Sequence, residues 1–266
     1  MKIVVCIKQV PDTTEVKLDP KTNTLIRDGV PSIINPDDKA GIEAALEIKE
    51  RLNDGSTVTI VSMGPPQADV ALREALAMGA DEAYLLSDRA FGGSDTFATS
   101  TIIAAGLKKI GYDLVITGRQ AIDGDTAQVG PQIAEHLGIP QVSYAEEIIS
   151  IDDKQVVVKR QFEDRYHILE LPVPCLITAL SELAEPRYMS VHGIYDAYRE
   201  KEVKVLGFED LKDMFDPANI GLKGSPTNVY KSFTKQAKGA GTKYDDVSAD
   251  EAVKIIVDKL EERHII

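Results

Sequence analysis

Apolar positions along this chain follow two alternating rhythms. Short runs rich in β-branched residues at Ile3–Ile7, Thr57–Ser62, Ala83–Leu86 and Asp113–Thr117 read as buried parallel strands, which carry apolar side chains on both faces. Between them the apolar positions recur at helical spacing. Ala40, Ala44, Ala45, Ile48 and Leu52 mark a helix from Asp38 to Leu52, with Pro36 before its start and Gly55 beyond its end. A second helix leaves the Met63-Gly64-Pro65-Pro66 turn and runs to Met78, where Gly79 closes it. Ile102, Ile103, Leu107 and Ile110 define a third over Thr96–Ile110, and Val129, Ile133, Ala134 and Leu137 a fourth over Asp125–Leu137. This alternation predicts an α/β fold: a three-layer α/β/α, Rossmann-like, mainly parallel sheet with ligands held at the carboxyl ends of its strands. Four loops fall on that rim, around Cys6–Pro11, Met63–Pro66, Gly92–Thr96 and Gly118–Thr126.

Beyond Pro140 the rhythm changes. Val142–Ile151 and Gln155–Phe162 are β-branched runs joined by Asp152-Asp153-Lys154, short enough for a hairpin turn. Tyr166–Leu171 and Cys175–Ala179 add two extended runs, separated by Pro172 and Pro174, which mark breaks or edges. The sheet is therefore expected to end in antiparallel additions. From Pro186 onward no long apolar run occurs until Val247–Leu260, an amphipathic helix capped by Ser248. The organisation expected is a nucleotide-binding α/β domain over residues 1–185 and an extended C-terminal arm over 186–266 that ends in a helix. Such an arm holds too little core to fold alone and awaits a partner.

Composition narrows the function classes. Of the 266 residues 43% are apolar, enough for a sizeable core, and the net charge of −13 argues against nucleic acid and against an anionic membrane surface. Cys6 and Cys175 both fall in predicted strands without paired spacing, as buried thiols of a reducing compartment do. No signal peptide or membrane-length apolar run is read, so the expected location is cytoplasmic, with no membrane insertion. The four histidines, His136, His167, His192 and His264, are far apart and show no ligand-like pairing, so no metal site is expected. Nucleophile-elbow, phosphate-loop and dinucleotide fingerprints are missing. With no side-chain agent for hydrolysis, a bound redox cofactor is the natural source of chemistry.

The segment GRQAIDGDTAQVGP, Gly118 to Pro131, is the most telling. It joins a strand to a helix, where backbone N–H groups and the helix dipole favour a phosphate. Gly118 and Gly124 are expected to supply backbone angles closed to other residues. Asp123, Asp125 and Thr126 would repel phosphate if free, and read as helix caps or ribose partners. A plain strand-to-helix loop with a good cap is the alternative.

Taken in order, KIVVCIKQVPDT, INPDDKAGIEAAL, REALAMGADEAYLL, GRQAIDGDTAQVGP, LPVPCLITAL and EPRYMS resemble the β subunit of the electron transfer flavoprotein over nearly the whole chain. The resemblance implies a heterodimer with an α subunit that holds a flavin, and a C-terminal arm wrapped around that partner. It also divides the possibilities. Ordinary members bind AMP as a structural ligand; electron-bifurcating members bind FAD that accepts hydride from NADH. Their electrons pass to the α-subunit flavin and an acyl-CoA dehydrogenase-type acceptor, and to ferredoxin or flavodoxin. The loop Gly92-Gly93-Ser94-Asp95-Thr96-Phe97-Ala98-Thr99 is similar to one that bifurcating members add near the flavin, so FAD is expected, with Asp95, Thr96 and Thr99 near it. Ser94 or Asp95 as a simple helix cap is the bland alternative.

Carried over by position, the resemblance puts Cys6 against adenine and Asn35, Pro36, Asp37 and Asp38 at the adenosine, with Met63 bounding the same pocket. Gly118, Arg119, Gln120, Ala121, Ile122, Asp123, Gly124, Asp125, Thr126, Ala127, Gln128 and Val129 would cradle phosphate and ribose. Arg165 departs from the family pattern and can pair either with an anionic flavin or with an α-subunit carboxylate. Glu185–Val191 matches the region that meets the dehydrogenase, with Val191 as an apolar anchor. Two other classes stand beside this reading. GGSD is close to the loop of ATP pyrophosphatases, although it lies far from the first strand, and a non-catalytic adenine-nucleotide-binding module needs only the loops.

Overall fold

In the structure, a computed structural model that describes residues 1–12, 31–227 and 239–266, residues 1–12 and 31–227 fold as one unit and 239–266 belong to another. In the first, β1 (Lys2–Ile7) leads to an antiparallel pair, β2 (Gln9–Pro11) and β3 (Ser32–Ile34), and then to α1 (Pro36–Leu52). There follow β4 (Thr57–Met63), α2 (Asp69–Met78), β5 (Glu82–Leu86), α3 (Thr96–Ile110), β6 (Leu114–Gly118) and α4 (Val129–Leu137). Next come β7 (Gln141–Ile151), β8 (Gln155–Gln161), β9 (Tyr166–Pro172), β10 (Cys175–Ala179), α5 (Val191–Arg199), β11 (Val203–Leu206) and the one-turn helices α6 (Phe208–Leu211) and α7 (Gly221–Gly224).

Nine strands form one sheet in the order β11-β5-β4-β1-β6-β10-β7-β8-β9. From β11 to β7 every neighbour is parallel; β8 and β9 add antiparallel strands at one end. Strand period explains the layers. In β1, Ile3, Val5 and Ile7 face one core shared with Ile42 and Ala45 of α1 and Leu72 of α2, while Val4 and Cys6 face a second core shared with Ile102 of α3 and Ile133 of α4. Helices thus cover both faces, as the alternation predicts. The helix that follows β1 lies on one face and the helix that follows β6 on the other, so the rim between these adjacent strands is a topological switch point.

Two details differ from the sequence expectation. The fourth helix begins at Val129 rather than Asp125, because Asp125 (φ 51°) and Ala127 (φ 50°) adopt left-handed backbone that a right-handed helix cannot include. Asp125 and Thr126 are therefore loop residues and not the cap. The stretch after Pro186, read as an extended arm with no long apolar run until Val247, contains α5 packed on α2 and β11 paired with β5. These are short and bury few apolar side chains, among them Ala197, Val203, Leu211 and Ile220, too sparse for a periodic signal. Residues 228–238 of the expected arm lie outside the described residues. In the second unit α8 (Ala249–Glu261) begins with a capping box in which Ser248 and Glu251 bond each other's backbone N–H groups. Among the described residues, no helix is long and apolar enough to cross a membrane.

Candidate functional site

A cavity of about 910 Å³ opens at the switch-point rim. Its floor is made by the ends of β1, β4, β5 and β6 through Cys6, Met63, Leu86 and Thr117, and the loop Gly118–Gln128 and the start of α3 form its walls. Of the residues read as a binding set, Cys6, Asp38, Met63, Asp95, Thr96, Thr99, Gly118, Arg119, Gln120, Ala121, Gly124, Asp125, Thr126, Ala127, Gln128 and Val129 line it together. Asn35, Pro36, Asp37, Ile122 and Asp123 do not line it.

The start of α1 instead holds the wall from beneath. Pro36 sets the first helical turn and Asp37 and Asp38 suit its positive end. Asn35 is fully buried; its Nδ2 donates to the Gln120 carbonyl (2.9 Å) and its Oδ1 accepts from Ile122 N (3.0 Å). Asp38 accepts from Gly118 N (2.9 Å) and Lys8 N (2.7 Å), tying together the ends of β6 and β1. Burial pushes its carboxyl up to about 7, although the N–H groups of Lys8 and Gly118 and the Asn35 amide pull the other way. Arg119 lies 3.4 Å from Asp37 Oδ2. Burial likewise raises the Asp37 carboxyl, against the pull of that guanidinium.

Gly118 is required by distance and not by angle. A Cβ there would stand 2.1 Å from Asp38 Oδ1 and 3.0 Å from the Cβ of Asp37, while one at Gly124 would meet nothing. Neither glycine has positive φ; within this loop that conformation is taken by Asp125 and Ala127. Gly130, not anticipated as a site residue, does for α4 what Gly118 does for the loop: its Cβ would meet Thr117 Oγ1 at 2.6 Å. Close helix–sheet contact follows, and the start of α4 is drawn to the cavity.

The carboxylates of the loop are engaged locally, Asp123 by a cation and Asp125 by a neutral amide. Asp123 accepts from Lys8 Nζ at 2.7 Å and Asp125 from Gln120 Nε2 at 2.8 Å. No side chain caps α4, whose first residues Val129 and Gly130 line the cavity. Its free N–H groups and dipole make a place for an anion. Across the cavity, Asp95 caps α3 by accepting from Ala98 N (3.0 Å), and Thr96 Oγ1 donates to Gln128 Oε1 (3.3 Å). Burial alone would raise the Asp95 carboxyl, but hydrogen bonds from Ala98 and Thr227 hold it below the usual range. Burial drives the Cys6 thiol upward, with Asp38 adding to the effect, so Cys6 presents backbone and bulk, not a reactive thiolate.

Sequence reading placed the loops of Lys8 and Pro65-Pro66 on the rim without naming these as site residues, and missed Ser87, Asp88, Arg89 and Phe91; all of them line the cavity. Asp88 could have been noticed: an acid before Arg89-Ala90-Phe91 is a short-helix cap, and its carboxylate accepts from Ala90 N and Phe208 N. Among the described residues, no three histidine, cysteine or acidic side chains gather as metal ligands.

The amino-acid sequence is also similar to those of known proteins. A model described as the electron transfer flavoprotein domain matches residues 22–211. The chain is 59% identical over 266 residues to the electron transfer flavoprotein subunit beta of Clostridium acetobutylicum, and 57% identical over 267 residues to the caffeyl-CoA reductase-Etf complex subunit CarD of Acetobacterium woodii. It is also 51% identical over 273 residues to the acryloyl-CoA reductase electron transfer subunit gamma of Anaerotignum propionicum. In all three cases the alignment spans the whole of both chains. A family model over most of the length and relatives aligned end to end lead to one conclusion: this chain belongs to the electron transfer flavoprotein family, as a β subunit.

Proposed function

We propose that the chain is the β subunit of an electron-bifurcating flavoprotein and that its rim cavity holds FAD. The observation that carries this reading is the extent of the cavity, about 910 Å³ in one piece from Cys6 and Met63, past Gly118–Gln128, to Phe91–Thr99. That lies near the top of the range for small-molecule pockets. AMP would leave the Phe91–Thr99 end unfilled. The residues fit a dinucleotide: Cys6 and Met63 offer apolar bulk to adenine, and the uncapped start of α4 offers N–H donors to the pyrophosphate. Asp37 supports this wall from beneath and Asp38 lines the cavity while tying the wall to β1, and Thr96 and Thr99 bring hydroxyls from the facing helix. The bound flavin would take hydride from NADH and divide the electrons between the α-subunit flavin and ferredoxin or flavodoxin. The chain itself orients the ring and keeps water from it with the wall of Met63, Leu86, Phe91 and Ile103.

Partners follow the same reading. The relatives named for caffeyl-CoA reductase and acryloyl-CoA reductase complexes support an α subunit and an acyl-CoA dehydrogenase-type acceptor; the location that goes with this reading is the cytoplasm. Tyr188 (99% exposed) and Val191 (87%) present an apolar surface for that acceptor, beside residues 1–185 as the binding domain. Within residues 186–266, α8 is assigned to the α subunit, since Val253 and Ile256 are exposed on its apolar side.

The test is a cofactor count on the purified α–β complex, released by heat. Two FAD per heterodimer, with NADH bleaching the β-site flavin, is the expected result. One FAD plus AMP would return the chain to the ordinary type, and no flavin at all would leave only an adenine-nucleotide-binding module.

A further inference from the structure

We propose that residues 220–227 form a strap that positions the Gly92–Thr96 wall of the cofactor cavity, with Ser225 and Thr227 as its positioning residues. The inference rests on the reading that this cavity holds FAD. From Gly92 to Asp95 the wall is glycine-rich and belongs to no regular element, so by itself it has many backbone conformations to lose when a ligand binds. Here it is fixed from behind. Leu222 N donates to the Gly92 carbonyl (3.1 Å), and Gly221 N donates to Ser94 Oγ (3.1 Å), whose own proton goes to the Phe91 carbonyl (2.8 Å). Ser225 Oγ accepts from Asp95 N (2.9 Å) and donates to the Gly221 carbonyl (2.8 Å). Thr227 gives two hydrogen bonds, from its N (2.9 Å) and Oγ1 (2.7 Å), both to Asp95 Oδ2.

Asp95 is the shared anchor. Oδ1 caps α3 through Ala98 N while Oδ2 holds Thr227, so both oxygens are occupied by protein. Through these bonds Asp95 fixes the loop that walls the cavity. Steric fit closes the joint. Gly221 has φ 64°, and a Cβ there would stand 2.2 Å from the Ala90 carbonyl oxygen; a Cβ at Gly93 would stand 3.0 Å from that of Leu222. Ile220 anchors the strap in the core, while the side chains from Leu222 to Thr227 are half-buried or exposed, so the hydrogen bonds of Ser225 and Thr227 serve the loop more than the core. A loop already held in its bound shape gives up less entropy on binding.

The experiment uses the α–β complex carrying Thr227→Val, Ser225→Ala, both together, or Thr227→Ser. Retention of β-site FAD during dilution is followed by its visible spectrum, and amide hydrogen exchange is measured over residues 92–96. The double variant loses three strap hydrogen bonds and should release β-site FAD on the order of a hundredfold faster, given about a factor of five for each. The α-site flavin should stay bound, and Thr227→Ser should behave as wild type. Exchange over 92–96 should quicken in the double variant alike. Unchanged FAD release with a flavin-loaded wild type overturns the positioning role. If wild type carries AMP in place of the second FAD, the cofactor reading fails instead, and unchanged exchange over 92–96 would then overturn the strap as well.

Discussion

Ala127 holds a left-handed backbone angle of φ 50° in the middle of the candidate phosphate loop, a conformation that costs an alanine about 1 kcal/mol relative to glycine. Ala127→Gly should therefore raise stability, by roughly 0.5–1 kcal/mol, the reverse of the usual effect of introducing glycine; urea unfolding of the two proteins decides it. Asp38 gives a prediction in pH. Its folded carboxyl lies up at about 7, above an unfolded value near about 4, so the native state binds more protons between the two. Stability from this group is complete below about pH 4 and is lost as pH rises to about 7. Asp38→Asn removes that dependence. The stability of the variant relative to wild type should thus climb by more than about 1 kcal/mol from pH 4 to 7 and level off above. At this scale the sequence singled out the loop that walls the cavity, but for a different physical reason. Gly118 serves proximity to Asp38, and Asn35 bonds the loop, because both depend on which strands are neighbours.

The Arg187 side chain joins the stretch before α5 to α1. Its backbone N and guanidinium bond Glu43, whose side chain is 5% exposed, and the guanidinium also bonds Glu50, whose side chain is 60% exposed. Removing a partner from a buried carboxylate costs far more than removing one from a solvated carboxylate. Arg187→Ala should lower stability by about 1–3 kcal/mol, discounted for the solvent that reaches the guanidinium. Glu50→Ala should cost under about 0.5 kcal/mol; comparable losses in thermal unfolding would show that burial is not what matters here. Elements with long periodic cores were legible in the sequence: α1, α3 and the central strands appear within a few residues of their expected limits. The start of α4 was not, since Val129 and the residues before it look helical until two left-handed angles interrupt them.

For the molecule as a whole, alternation of strand and helix was enough to predict parallel pairing, the two covered faces and the rim where the cavity lies. Three things escaped it. The placement of β10 between β6 and β7, the addition of β11 to the far edge, and the strap behind Gly92–Thr96 are all long-range pairings that leave no local pattern. Both cysteines, by contrast, were legible from their strand context: Cys6 and Cys175 are buried in opposite cores. Burial lifts the Cys175 thiol to about 11 and Cys6 further, so neither should react with a disulfide reagent at pH 8 until the fold is lost. A colour assay for free thiols before and after denaturation would give zero and two. That silence makes the chain a clean background for labels. One cysteine placed on the surface would be its sole reactive handle, ready for a fluorophore or spin probe with no native residue first removed.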